Sequence, residues 1–233
     1  MSTNKKKIVF LASGNGGNFY FIFEAIKRKY LENFEIVEVI ADRKCGAQLI
    51  AKKNNIKFST IDFRESDQKF LLDHLLNINP DLIITTVHKI LGPKVIDAFD
   101  KKLINLHYSL LPSFAGLIGM KPVERALESG SKYLGVTAHF AEKEVDQGKQ
   151  IAQIYFSSKN RVTLNDEIKN LIFRCGCICL LAAIYKQFSH SRNNKEIKIT
   201  LLGEECFLRG AYLPPVLKEI PEDLWKIVQD QAA

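Results

Sequence analysis

The opening of this 233-residue chain lacks an apolar stretch long enough for a signal peptide or a membrane span, because MSTNKKK passes directly into the strand-like IVFLA. The expectation is a soluble, cytoplasmic protein with no membrane partner. Cysteine is sparse: there are five, Cys45, Cys175, Cys177, Cys179 and Cys206, an odd number, and three of them lie inside the apolar run FRCGCICLLAAIY. They read as reduced, buried thiols and not as a disulfide framework. On a helix, Cys-x-Cys-x-Cys spreads its sulfurs around the axis, and no His or second Cys pair accompanies it, so no metal is expected. No Ser or Cys stands in a nucleophile elbow, which argues against a covalent intermediate. There is no internal repeat and no low-complexity segment. Charge is uneven, +7 in total, but the Lys and Arg residues are scattered and no nucleic-acid motif goes with them. Solvated faces that also attract phosphates or carboxylates are the better reading, and nucleic acid is not expected as a partner.

What the chain does have is alternation. Val- and Ile-rich runs near 8–12, 36–41, 57–61, 82–87 and 103–107 read as strands, and segments of helical period fill 18–30, 46–54, 65–77, 93–99, 120–129 and 164–188. That is the pattern of an α/β protein with a single doubly wound, mostly parallel sheet. GVTAHF and QIAQIYF, separated by EKEVDQGK, read as a hairpin, a C-terminal antiparallel addition to the sheet. SHSRNNKE reads as a surface loop leading to one last strand at IKITLL. A length of 233 residues suits one domain, whose halves are expected to divide the work at about residue 100.

The first strand ends in SGNGGN, Ser13 to Asn18, and a helix follows. Backbone N–H groups of Gly14, Asn15, Gly16, Gly17 and Asn18 and a helix N-terminus then converge on one place, which makes an anion site, with Asn18 the expected N-cap. A dinucleotide fold presents the same turn, and Asp42 lies where its ribose-binding acid would stand. Against it, Phe19 occupies the position of the third glycine that close helix packing needs. The turn therefore favours a terminal phosphate. Glycines serving only a tight strand-to-helix turn are the plain alternative.

In LINLHYSLLP, Asn105 and His107 are two apart at the C-terminal end of a strand, so both side chains leave the same face, at the end of the sheet where ligands bind. Asp146 sits in the turn after the later strand, within reach of the imidazole if the hairpin folds back. Acyl transfer to an amine needs such a trio: donors for the oxygen that becomes an oxyanion, and a route out for the ammonium proton. Asn105 and His107 would serve the oxygen. Asp146 would hold His107 in its charged form or relay the proton, since a nearby carboxylate raises a histidine pKa.

SGNGGN, INLHYSLLPSFAG, GVTAHF with EVDQG, and the late FLRGAYLPP, in this order, resemble the folate-dependent formyltransferases, and among them the glycinamide ribonucleotide transformylases of purine synthesis. The resemblance implies a Rossmann-like formyltransferase fold, with a phosphate-binding half at about 1–100 and a catalytic, folate-binding half at about 101–233. It implies Asn105, His107 and Asp146 as catalytic residues and Gly16, Gly17 and Asn18 as the loop for the substrate phosphate. It makes 10-formyltetrahydrofolate the cosubstrate, held by Arg64, by His88, Lys89, Ile90 and Leu91, and by the turn Glu142, Lys143, Glu144 and Val145. His139 and Ser109 are supporting residues, His139 with a packed core role as its alternative. The partners are then two small molecules, a phosphorylated amine and a folate, acting on a monomer or homodimer.

The sequence also departs from that family. Tyr108 stands where Pro usually follows the histidine, the segment GLIGMKPVERAL is longer than the usual loop and lacks its histidines, and Gly176 aligns with a glutamate that grips the substrate ribose. These changes fall on the acceptor side. Transfer to another amine, such as a nucleotide-linked amino sugar, stays open; so does formyltetrahydrofolate hydrolysis, whose enzymes share the TAH and Asp-x-Gly features. Outside catalysis, a folate- or nucleotide-binding protein without turnover is the alternative, with a nicotinamide-dependent reductase as the outsider.

Overall fold

A computed structural model describes residues 5–64, 68–159, 161–189, 196–211, 213 and 220–232. The chain forms two compact units, one of Met1–Asn105, Ala141–Lys143 and Ile220–Ala233, the other of Leu106–Phe140 and Glu144–Glu219.

The first unit is built on parallel strands in the order β3-β2-β1-β4-β5, where β1 is Lys6–Ala12, β2 Phe34–Ala41, β3 Lys57–Thr60, β4 Leu82–Thr86 and β5 Leu103–His107, whose last two residues pass into the second unit. Its central strands β1 and β4 are apolar runs without alternation because both faces are covered. Ile8, Val9, Phe10 and Leu11 are fully buried, as are Leu82, Ile83 and Ile84. Burying each such side chain is worth about 1.5–3 kcal/mol, and this is the main force holding the unit together. The helices are α1 (Gly17–Lys27), α2 (Ala47–Lys53), α3 (Lys69–Ile78) and α4 (Pro93–Ala98). The strand order reverses direction between β1 and β4, which is where open α/β sheets bind ligands.

The second unit has an antiparallel sheet in the order β6-β7-β9-β8, with β6 Tyr133–Phe140, β7 Gln150–Ser157, β8 Ile197–Leu201 and β9 Glu204–Arg209. Helix α5 (Lys121–Glu128) precedes it, and α6 (Asp166–Phe188) packs on β6 and β7. Asn165 caps α6 by accepting the Ile168 N–H at 2.9 Å. By length and composition α6 would qualify to cross a membrane, but 78% of its most apolar window is buried inside the protein, as in a core helix. That burial explains FRCGCICLLAAIY: the thiols of Cys175, Cys177 and Cys179 are core packing groups, pushed up in pKa by desolvation, Cys179 to about 12.

Parallel strands come first and antiparallel strands after, as the sequence pattern predicts. Two elements differ from expectation. IKITLL leads not to one last strand but to a hairpin, β8 to β9, closed by Leu202 and Gly203 at φ 52° and 77°. Two successive left-handed residues make the primed turn that a two-residue hairpin requires, and Leu at the first of them hid the signal. A final helix α7 (Glu222–Ala232) also stands where none was predicted; Trp225 stacks on Phe21 of α1 with ring centroids 5.0 Å apart. Most of SHSRNNKE, the start of the helix expected at 65, and parts of FLRGAYLPP lie outside the described residues.

Candidate active site

The glycine-rich turn lies between β1 and α1, in the first unit. Gly16 has φ +80° and is the N-cap of α1; a Cβ there would also lie 2.8 Å from the Ala47 Cβ, so both backbone and neighbour require glycine. The expected cap is corrected: Asn18 is the second residue of the helix, buried, and no side chain caps the α1 N-terminus. The helix starts one residue earlier than expected, and Gly14 and Asn15, in the turn before it, are exposed. Phe19 is fully buried against Phe10, ring centroids 5.5 Å apart, and fills the strand-to-helix contact that a dinucleotide fold keeps open with glycine. Asp42 is committed to Arg43, with Nε 3.0 Å from each carboxylate oxygen. Burial acts to raise its pKa, but hydrogen bonds from Arg43 and Ser13 outweigh it and hold Asp42 below the usual carboxylate range.

The other loop at the β1/β4 reversal follows β4. The His88 N–H donates to the Ser13 Oγ at 3.0 Å, which ties this loop to the glycine-rich turn. His88, Lys89 and Ile90 are exposed, Ile90 at 68%, whereas the Leu91 side chain is packed in the core with Val95 and Phe99. Gln68 fixes the loop by donating to the Phe63 and Ile90 carbonyls, 3.0 Å each, and accepting the Gly92 N–H at 2.8 Å. Arg64 lies on the surface, forked onto Asp62, whose pKa it lowers to about 2. Glu142, Lys143, Glu144 and Val145 are exposed, with Lys143 paired to Asp97 at 2.9 Å.

The second unit holds the imidazoles. His107 ends β5, with Asn105 half-buried two residues earlier on the same strand, where side chains two apart share a face. His107 Nδ1 lies 3.2 Å from Asp146 Oδ2, and His139 Nε2 lies 3.5 Å from Asp146 Oδ1, so one carboxylate is shared by two imidazoles. The side chains of His107, Asp146 and His139 are all at most 6% exposed. Asp146 has φ +59°, a strained position for a non-glycine residue, and its Oδ2 also accepts the Gly116 N–H at 2.8 Å. The second ring nitrogen of His107, Nε2, is 3.1 Å from the Phe114 carbonyl. Both nitrogens of His107 therefore face acceptors, and a neutral ring, with one N–H, serves only one of them.

The electrostatics correct one expectation. Asp146 does pull the His107 pKa upward, but burial pulls harder in the other direction, and the result lies below the ordinary histidine value. The expectation that the carboxylate raises the His107 pKa is what changes. For Asp146, burial acts upward and is outweighed by hydrogen bonds from His139 and Gly116 and by the nearby imidazoles, so it stays ionised below the usual range.

Thr137 was missed by the sequence reading. Fully buried on β6, it donates to the Ser109 carbonyl at 2.7 Å, accepts the Leu111 N–H at 3.1 Å and receives the Gln153 amide at 3.0 Å. It locks the segment that follows His107, while Ser109 Oγ donates to the Ser113 carbonyl at 2.5 Å. The signal was available: Thr137 and His139 alternate on one face in GVTAHF. Among the described residues no group of three His, Cys, Asp or Glu side chains is placed to hold a metal.

Residues 6–173 match the formyl transferase family model. The chloroplastic phosphoribosylglycinamide formyltransferase of Arabidopsis thaliana is 33% identical over 180 residues, 73% of this chain and 60% of that protein. The formyltetrahydrofolate deformylase of Haemophilus influenzae is 29% identical over 160 residues, 66% of this chain and 55% of its own. The chain thus spans little more than half the length of these two relatives. A solved phosphoribosylglycinamide formyltransferase of Coxiella burnetii superimposes with a TM-score of 0.68 at 27% identity, covering 86% of this chain and 95% of that one. The match of the family model over most of the sequence places the chain in the formyl transferase family.

Proposed function

We propose that the protein transfers a formyl group from 10-formyltetrahydrofolate to the amine of glycinamide ribonucleotide, directly and without a covalent intermediate. The observation that carries the chemistry is the buried Asp146 carboxylate shared by His107 and His139. The amine attacks the formyl carbon, a new C–N bond forms and the carbonyl oxygen takes up negative charge. His107, with Nδ1–H on Asp146, accepts the ammonium proton at Nε2, displacing the Phe114 carbonyl from that nitrogen. The imidazolium so formed is stabilised by Asp146, and its Nε2–H, with the Asn105 amide, faces the oxyanion. The proton then passes to N10 of the folate as the C–N10 bond breaks, so the balance closes without an added co-reactant.

In this reading the N–H groups of Gly14 to Asn18 at the α1 N-terminus take the substrate phosphate. The loops His88 to Leu91 and Glu142 to Val145, with Arg64, hold the folate, Leu91 through its backbone because its side chain is in the core. The deformylase relative supports a second reading, in which water replaces the amine.

One assay separates these. Purified protein with 10-formyltetrahydrofolate is expected to show a change in folate absorbance only when glycinamide ribonucleotide is added. Absorbance change without any amine would establish the hydrolase instead, and turnover with a nucleotide-linked amino sugar but not with glycinamide ribonucleotide would reassign the acceptor.

A further inference from the structure

Strand β4 changes character at its end. Ile83 and Leu103 belong to the apolar cluster that Val9 and Leu11 share with Leu91, Val95 and Phe99. Side chains two apart along a strand lie on one face, so Thr85 and Asn105 continue that face one step toward the C-terminal ends of the strands. Register sets them side by side: Thr85 is the partner of Leu11 on β1 and of Asn105 on β5, on strands about 4.8 Å apart. Thr85 is 4% exposed, and its Oγ1 has no hydrogen-bond partner among the described residues. The next hydroxyl along, Thr86 Oγ1, does have one, donating to the Leu11 carbonyl at 3.2 Å. A buried hydroxyl without a partner destabilises a fold, and valine, of the same shape, would close the cluster without that cost. Packing gives no reason for threonine at this position.

Its neighbour on β5 gives one. In the proposed chemistry the Asn105 amide N–H faces the oxyanion, but a carboxamide carries an acceptor oxygen and a donor nitrogen of nearly the same shape, and nothing within the group decides which of them meets the oxyanion. The oxygen would repel it. A donor beside Oδ1 fixes the choice, and at position 85 a hydroxyl supplies that donor where valine supplies none. Resting on the formyltransferase reading, we propose that Thr85 is a positioning residue for Asn105: with the ligands bound, its hydroxyl donates to the Asn105 Oδ1 and turns the amide N–H toward the oxyanion. The hydroxyl lowers stability in the resting protein and is satisfied in the working one.

The test combines steady-state kinetics with urea unfolding on the full chain, using 10-formyltetrahydrofolate and glycinamide ribonucleotide. Thr85→Val is expected to lower kcat about tenfold, the scale of one lost hydrogen bond, to leave both KM values within about twofold, and to raise the urea midpoint. A threonine with a merely structural role would not move activity and stability in opposite directions. Thr85→Ser, which keeps the hydroxyl, holds kcat within about threefold of wild type. In an Asn105→Ala background Thr85→Val has no further effect on kcat, because its effect runs through the amide. Unchanged kcat in Thr85→Val, a lower urea midpoint, a rise in the folate KM in place of a fall in kcat, or a kcat loss that persists without Asn105 overturns the proposal and leaves the transferase reading standing. If the wild-type protein hydrolyses the folate without any amine, the transferase reading fails, while the same kcat loss measured on hydrolysis still supports Thr85 and its absence overturns it. If the wild-type protein turns over nothing, both fail.

Discussion

Among the described residues there are two acid–histidine clusters with a buried carboxylate, one in each unit, and they are built for opposite ends. Glu38, on the second strand of the first unit, is 1% exposed and lies 2.9 Å from His74 Nε2 and 2.9 Å from Lys57 Nζ, with the Ser59 hydroxyl donating to it at 2.5 Å. Asp146 lies 3.2 Å and 3.5 Å from His107 and His139 and accepts the Gly116 N–H. Distance alone would rank Glu38 as the better candidate site. The surroundings reverse the ranking: Glu38 is paired with a lysine and meets a histidine that is 29% exposed. Asp146 is in a strained left-handed conformation, and the histidine it holds is buried with a lowered pKa. An acid–histidine contact marks a site when the imidazole is buried with a lowered pKa and the carboxylate is shared between two imidazoles.

Breaking that contrast with mutations gives its largest effect at His107. His107→Ala is expected to lower kcat by two or more orders of magnitude, while calorimetric affinities for both ligands stay within about threefold. Comparable kcat in the variant would remove His107 from the chemistry. The same kind of lesion in the other cluster acts on stability: Glu38→Ala leaves His74 and Lys57 without their acceptor and is expected to cost about 1–3 kcal/mol in urea unfolding, with kcat per folded molecule unchanged. The cost is limited because Lys57 is 61% exposed and returns to water. A loss of kcat with unchanged stability would mean that the two clusters had been read the wrong way round.

The clusters also differ in how far the sequence announced them. Asn105, His107 and Asp146 stood out because they sit in short motifs at predicted strand ends, and local pattern is what a sequence reports well. The parallel order of the first five strands was legible for the same reason, since apolar runs and helical periods alternate along the chain. What lay hidden depended on partners distant in sequence. Glu38 meets His74 36 residues away, and Thr137 meets Ser109 28 residues away. The sign of the His107 shift was misread because a neighbouring carboxylate is visible in a sequence and burial is not. The Asn18 cap failed by two residues, Gly16 being the N-cap, within the uncertainty of any helix end. The β8–β9 turn failed because leucine occupies a conformation usually reserved for Asn, Asp or Gly.

The smallest effect, and the sharpest test of the contrast, concerns pH. His107 has a folded pKa below the ordinary 6.5, first through burial and, as a lesser contribution, through the charge of the second imidazole, His139. Since the proposed active form is the neutral ring, the acid limb of kcat/KM falls below pH 6.5. The same lowered value makes protonation of His107 unfavourable in the folded state, so the stability it contributes is present above 6.5 and is lost as pH falls through the folded pKa. Glu38, where burial acts upward but the hydrogen bonds from Ser59, Lys57 and His74 outweigh it, has a lowered pKa and so also loses stability on acidification, in the carboxylate range and without touching the activity limb. His139→Asn removes the neighbouring imidazole that lowers the His107 pKa and is expected to move the acid limb of kcat/KM upward, toward the ordinary histidine value, while Glu38→Gln leaves it in place. Profiles recorded for wild type and both variants check this. A wild-type acid limb at or above 6.5 would mean that Asp146 outweighs burial at His107, and activity lost as pH rises through that range would mean that the charged ring is the active form.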